Sequence, residues 1–182
     1  MNQQEEMRLI RKVVGGDVEA FAPLVERYQR ACFLLVLRIV GRREEAEEVT
    51  QDVFVKAFRS LVRFDGRSRF STWLYRIACN TALSAVRGGR KRYTLFDAER
   101  VERVELAVEA EEAALLNEAQ IEELLHALDR LLPDERALIQ LHYYEQLPLA
   151  ECAKALHLTE VNTKVRLHRI RKKLERWINE QK

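Results

Sequence analysis

Cysteine is scarce in these 182 residues: Cys32, Cys79 and Cys152 stand far apart, and no CxxC or Cys/His spacing pairs any of them. Neither a disulfide framework nor a zinc site is therefore indicated, and the expectation is three ordinary core thiols, including Cys79, where a redox role would need an exposed sulfur. Long apolar runs are missing as well. The stretch Ala31–Val40 is interrupted by Arg38 and is too short for a bilayer, which needs about 20 apolar residues, so it reads as a buried helix. The polar start MNQQEEMRLI lacks the layout of a signal peptide, and a cytoplasmic protein without membrane insertion is expected. His126, His142, His157 and His168 have no partner motifs. Without a converging set of His, Asp, Glu or Cys there is no case for an enzyme, and no catalytic residue, metal or cofactor is expected.

What is present is charge in blocks. The 31 basic and 29 acidic residues nearly cancel to a formal +2, which hides their distribution. Glu44, Glu45, Glu47, Glu48 and Asp52 make a negative helix whose partner should be positive. From Arg59 to Arg92 the balance reverses. Nine arginines and lysines stand there against Asp65 alone, interleaved with Phe64, Phe70, Trp73 and Tyr75, a mixture that suits nucleic acid. Between Asp97 and Glu123 ten acidic residues face Arg100 and Arg103. Residues 90–117, after the break at Gly88-Gly89, read as a flexible acidic linker. The last helix, Asn162 to Ile178, carries Lys164, Arg166, Arg169, Arg171, Lys172, Lys173 and Arg176 against Glu175.

Apolar positions recur at three and four, as in Val49, Val53, Phe54, Ala57, Phe58 and Leu61, and no stretch alternates over strand length. The fold class is all-α. A 47% hydrophobic chain of this length allows one moderate core or two small ones. Asp17 and Ser71 are candidate helix caps, and Pro133 suits a first turn. Pro23 either kinks a helix capped by Asp17 or marks a later start.

The C-terminal third, LLPDERALIQLHYYEQLPLAECAKALHLTEVNTKVRLHRIRKKL, parses as a helix, a helix over 149–156, a turn at His157-Leu158-Thr159, and a long basic helix. That is a helix-turn-helix layout. Its second helix needs base-reading polar groups near its start with cations beside them, and Asn162, Thr163, Lys164 and Arg166 supply them. Taken alone, such a helix is as readily a solvated basic face; the preceding helix and tight turn favour DNA. His157 occupies a turn position where glycine is usual, and His is among the side chains that tolerate a positive φ. His168 is either a DNA contact or plain surface.

LPDERALIQLHYYEQL followed by KVRLHRIRKKL resembles the promoter minus-thirty-five-binding domain of extracytoplasmic-function (ECF) sigma factors of the sigma-70 family. Independently, EAEEVTQDVFVKAFRSLVRFDGRSRFSTWLYRIACNTALSAVR is similar to that family's segment running from the polymerase-binding helix through the minus-ten recognition loop to the DNA-melting helix. The resemblance implies a sigma-2 helical domain over residues 1–89, a linker over 90–117, and a sigma-4 helix-turn-helix domain over 118–182. It implies a core-polymerase-binding set of Glu47, Glu48, Gln51, Asp52 and Phe54, in which a charged rim surrounds an apolar anchor. It implies a minus-ten set of Phe64, Gly66, Arg67, Ser68, Phe70, Trp73, Arg76, Asn80 and Ser84, with the loop Phe64–Phe70 holding a flipped-out base. Trp73 and Tyr75, two apart on a helix, face different ways, so at most one meets DNA while the other packs inward; ordinary core is the competing reading for both. The minus-thirty-five set is Asn162, Thr163, Lys164, Arg166, His168, Arg169 and Lys172. The acidic linker either threads near the polymerase active-site channel or is a plain tether.

The partners so implied are bacterial core RNA polymerase, promoter DNA as duplex and as melted non-template strand, and an anti-sigma factor. A long acidic N-terminal domain of the kind that masks DNA binding in housekeeping sigma factors is not expected, so inhibition is expected from another protein. Val161, Val165 and Pro148 depart from the residues frequent in the family, so its base preference does not carry over. A repressor or activator that binds duplex DNA unaided would use the helix-turn-helix alone and leave the Phe64–Ser84 block unexplained.

Overall fold

Asn2 and Glu5 begin the first helix by a reciprocal exchange: the Asn2 side chain accepts the Glu5 N–H at 2.9 Å while the Glu5 carboxylate accepts the Asn2 N–H at 2.8 Å. Two N–H groups that the helix cannot satisfy are thereby paired. The computed structural model describes residues 2–88 and 118–180. The expected linker at 90–117 lies outside the described residues. Helix α1 spans Gln3–Val14. A 3-10 turn over Val18–Phe21 follows, with Asp17 accepting the Ala20 N–H at 3.3 Å. Helix α2, Ala22–Val40, then starts with Pro23 in its first turn, where the missing donor costs nothing. Pro23 thus marks a later start and kinks nothing. Gly41 ends α2 at φ 82°, a left-handed conformation that favours glycine, and returns its N–H to Leu37 O at 2.8 Å.

Helix α3 is Arg43–Ser60, and after a 3-10 turn at Leu61–Arg63 helix α4 runs Phe70–Gly88. Ser71 therefore lies inside the first turn of α4 and does not precede it as a cap. Beyond the linker come α5, Glu118–Asp129, and α6, Pro133–Ile139, which runs into a π turn over Gln140–Tyr144. Pro133 takes the expected first-turn place. Helices α7, Leu149–Ala155, and α8, Glu160–Asn179, form the helix-turn-helix. Among the described residues there is no strand.

Helices α2, α3 and α4 pack on one another through Leu24, Leu35, Ile39, Val53, Ala57, Leu74 and Ala78, all fully buried. Leu138, Leu141, Leu167 and Ile170 fill the C-terminal half. The halves are not separate. Helix α6 packs on α2 and α7 on α4, and one continuous apolar cluster runs through both. This explains the run Ala31–Val40, where Cys32 and Leu34 to Leu37 are all buried because α2 is covered on opposite sides. No described helix is long and apolar enough to cross a membrane.

Helix α1 is tied to this core by a polar contact: the buried Tyr28 hydroxyl donates to Glu6 Oε1 at 2.5 Å, and Arg27 Nε lies 3.5 Å from the same oxygen. Burial first, and the Glu6 carboxylate second, push the Tyr28 pKa up to about 12. The folded state therefore holds the phenolic proton more tightly than the unfolded state, whose tyrosines titrate near pH 10. This contribution is complete below about pH 10 and is lost as the pH rises toward 12. In urea unfolding, the native chain should lose about 2 to 3 kcal/mol more than Tyr28→Phe between those pH values; equal losses would contradict the assignment.

Candidate nucleic-acid interface

The loop between α3 and α4 is built on an aromatic base. The half-buried Phe64 ring lies 5.8 Å from Phe70 and 5.4 Å from Trp73, centroid to centroid, in edge-to-face and tilted contacts. Tyr28 supports Phe70 from beneath at 5.5 Å. Asp65 Oδ1 accepts the Arg67 N–H at 3.0 Å, and Gly66 turns the chain at φ 72°. Gly66 and Arg67 are exposed and Ser68 is half-buried. Phe70 and Trp73, also expected on DNA, are instead interior residues that form the wall behind the loop. The free face is that of Phe64.

Of Trp73 and Tyr75, at most one was expected to meet DNA, with ordinary core the competing reading for both, and both are buried. Trp73 faces the loop aromatics, while Tyr75 lies edge-on to Tyr28 at 6.5 Å and donates its hydroxyl to Glu145 Oε2 at 2.6 Å. Both directions are covered because α7 lies on the side of α4 that α2 and α3 leave free. Burial, and next the Glu145 charge, push the Tyr75 pKa far above the usual tyrosine range, so its hydroxyl stays a donor.

Asn80 and Ser84 remain exposed, one turn apart. They line an open groove of about 510 Å³ whose opposite bank is Lys56, Arg59, Ser60 and Arg63, with Ile77 and Thr81 between. Lys56 Nζ donates to Thr81 Oγ1 at 3.3 Å. Three cations facing two amide- or hydroxyl-bearing side chains suit a phosphate backbone with exposed bases. Sequence reading placed Arg59 and Arg63 in a basic block but did not assign them to the site, and missed Lys56, because the groove joins two helices about 20 residues apart in sequence. Arg76 is half-buried and is not part of this groove.

Helix α8 is capped by Thr159, whose side chain accepts the Asn162 N–H at 3.2 Å. Thr163, expected on DNA, is fully buried and donates to Thr159 O at 3.0 Å, so its work is to fix the turn. Asn162, Lys164, Arg166, His168, Arg169 and Lys172 are exposed. Arg166 pairs with Asp134 at 2.9 Å and Lys172 with Glu175 at 3.0 Å. Val161 and Val165 are also exposed at the start of α8. His157 adopts φ 55° as expected of that turn position.

Glu47 and Gln51 are exposed on the side of α3 turned away from the groove, while Glu48 and Asp52 are exposed on the stripe that leads to Lys56; Glu47 is 3.1 Å from Arg43. Phe54 is only half available, its ring 6.5 Å from Phe21. The exposed apolar residues on this side are Val55, Phe58 and Val62. Their spacing of three and four from Gln51 was the available signal, but Phe58 had been counted with the core stripe.

These surfaces correspond to known regions. Residues 24–92 match Sigma-70 region 2 and residues 121–174 match Sigma-70, region 4, so the chain belongs to the sigma-70 family. Within it the chain is an ECF sigma factor. It is 33% identical to the RNA polymerase sigma-H factor of Pseudomonas aeruginosa over 97% of this chain and 95% of that one. It is 32% identical to SigW of Bacillus subtilis over 94% and 95%, and 32% identical to the sigma-E factor of Escherichia coli K12 over 95% and 94%. In fold it is similar to CnrH, solved with the cytosolic domain of CnrY, at a TM-score of 0.69 and 24% identity over 98% and 99% of the chains. It is similar also to RpoE of Bartonella quintana, solved with the anti-sigma factor NepR, at 0.63 and 18% over 87% and 96%. The protein is an alternative sigma factor that brings core RNA polymerase to promoters and initiates transcription there.

The cap at Thr159 sets where α8 starts. Thr159→Ala should cost about 1 kcal/mol in urea unfolding, whereas an unchanged midpoint would mean that the turn holds without it.

Proposed function

We propose that the surfaces divide the initiation task as follows. Residues 1–89 form a unit that docks on the polymerase through Glu47, Glu48, Gln51 and Asp52, with Val55 and Phe58 beside Phe54 as apolar anchors. The same unit reads the minus-ten element through Phe64, Gly66, Arg67 and Ser68 in the loop and Asn80 and Ser84 in the groove. Residues 118–182, beyond a tether at 90–117, read the minus-thirty-five duplex through Asn162, Lys164, Arg166, His168, Arg169 and Lys172. The observation that carries this reading is the groove, where Lys56, Arg59 and Arg63 face Asn80 and Ser84 beside an aromatic loop. Phe70, Trp73 and Thr163 act by holding these surfaces in shape. Arg76, half-buried and outside the groove, is given no part in it.

No bond is made or broken on this protein. It binds the opened promoter better than the closed one, and that difference in affinity drives melting. It works in the cytoplasm with the polymerase, and an anti-sigma factor is the expected inhibitor; the Bartonella quintana neighbour, alike in fold, was solved with one.

The test is permanganate footprinting of a promoter library with purified chain, with and without sigma-free core polymerase. Core-dependent thymine reactivity is expected. Phe64→Ala should abolish it while retaining upstream binding, and Arg166→Ala should weaken duplex binding by roughly 10-fold. Lys56→Ala and Arg63→Ala should each reduce the steepness of the salt dependence by about one unit. Tight duplex binding without core and no melting with it would overturn the reading.

A further inference from the structure

Helix α1 contributes no residue to the groove, yet it reaches the loop between α3 and α4 at two places. The first is the turn itself. A Cβ placed on Gly66 would lie 3.6 Å from the Met7 methyl carbon Cε, so the bare side of the turn is within van der Waals reach of α1. Met7 is half-buried against the apolar cluster, and α1 also touches the 3-10 turn Leu61–Arg63 from which the loop springs. The second place is beneath the aromatic base. Glu6, next to Met7 and itself buried, accepts the Tyr28 hydroxyl; the Tyr28 ring stands edge-on to Phe70 at 5.5 Å, and Phe70 edge-on to Phe64 at 5.8 Å.

The two contacts are coupled through the register of α1. Apolar contact has no direction and tolerates a small slide of one helix on another, whereas a buried hydroxyl and carboxylate bond in one geometry. Fixing Glu6 at Tyr28 therefore fixes the adjacent Met7 at Gly66. Arg27 Nε, 3.5 Å from the same Glu6 oxygen, adds a second polar partner. The loop's own bonds stand at its ends and across its tip: Phe64 N–H to Leu61 O at 3.0 Å, Trp73 N–H to Arg69 O at 3.1 Å, and Arg67 N–H to Asp65 Oδ1 at 3.0 Å. Asp65 and Arg67 are exposed, so water competes with the bond at the tip.

We propose that α1 is a positioning element for this loop: Met7 holds the Gly66 turn, and Glu6, through Tyr28 and Phe70, holds the Phe64 ring, so that the loop is shaped for an unpaired base before DNA arrives. Glu6 and Met7 act through other residues and do not themselves contact the base. A loop already held in its bound shape loses less conformational freedom on binding, and that difference favours base capture. This rests on the reading of Phe64 and Gly66 as minus-ten contacts, but the support of the loop by α1 is a property of the free chain.

Trp73, which packs on Phe64 and Phe70, is the reporter, and Trp177→Phe leaves it the sole tryptophan. In that background, acrylamide quenching of Trp73 fluorescence in the full-length chain should rise about two- to threefold in Met7→Ala and in Tyr28→Phe, with helical circular dichroism unchanged. Met7→Leu, which conserves volume, and Glu6→Gln, which keeps an acceptor for the Tyr28 hydroxyl, should quench like the parent. Unchanged quenching in both Met7→Ala and Tyr28→Phe would overturn the proposal. If Met7→Ala unfolds, Tyr28→Phe alone carries the test, since it keeps the buried ring and removes only the bond to α1. The second arm is permanganate footprinting of holoenzyme, assembled with core polymerase, on a promoter that the parent chain melts. Met7→Ala should lower thymine reactivity by about three- to tenfold, and Met7→Leu should restore it. Loss of melting in Phe64→Ala with none in Met7→Ala would overturn the proposal. Raised quenching with full melting in both Met7→Ala and Phe64→Ala would keep the support by α1 and remove the loop from the DNA site.

Discussion

The structure depends on the burial of α4 from more than one side. Thr72, Trp73, Leu74 and Tyr75 are four consecutive buried residues, and at about 100° per residue they sweep most of the way around the helix. No single neighbour can cover them. Helices α2 and α3 cover one side and α7 another, so the helix that carries the groove residues also joins the two halves of the chain. The aromatic base under the loop and the exposure of Asn80 and Ser84 along the remaining strip both follow from that sharing.

Charge is arranged around this helix in separate patches of opposite sign. The acidic start of α3 is opposed in sign to the groove that begins at Lys56 on the same helix, about one turn beyond Asp52. Helix α8 presents a second cationic face, partly held by Asp134 and Glu175. These exposed ion pairs contribute little to stability, on the order of 0 to 1 kcal/mol each. They hold Arg166 beside Asp134 and Lys172 beside Glu175 on the helix surface.

Much of this was legible in the sequence because it is local. The helical period, the break before Pro133, the turn at His157 and the charge blocks are carried by neighbouring residues, and the two family segments were recognisable from their loop and helix residues. What could not be read is what depends on contact across the chain. Pro23 left two starts open, and the choice was made by the 3-10 turn at Val18–Phe21, which brings Phe21 against Phe54 and Phe58. Trp73 and Tyr75 were correctly separated by angle, but both are interior because a helix some 75 residues away in sequence covers the second face. Thr163 looked like a base reader by position and is a buried turn-holder. Lys56 belongs to the groove only because α3 and α4 are antiparallel neighbours.

The central claim is that the two halves share α4 in the free chain. Spin labels on cysteines introduced at the exposed positions Gln29 in α2 and Glu175 in α8 would report this by double electron–electron resonance, the native thiols being buried. The account predicts one narrow distance in the free protein. A broad distribution would contradict it.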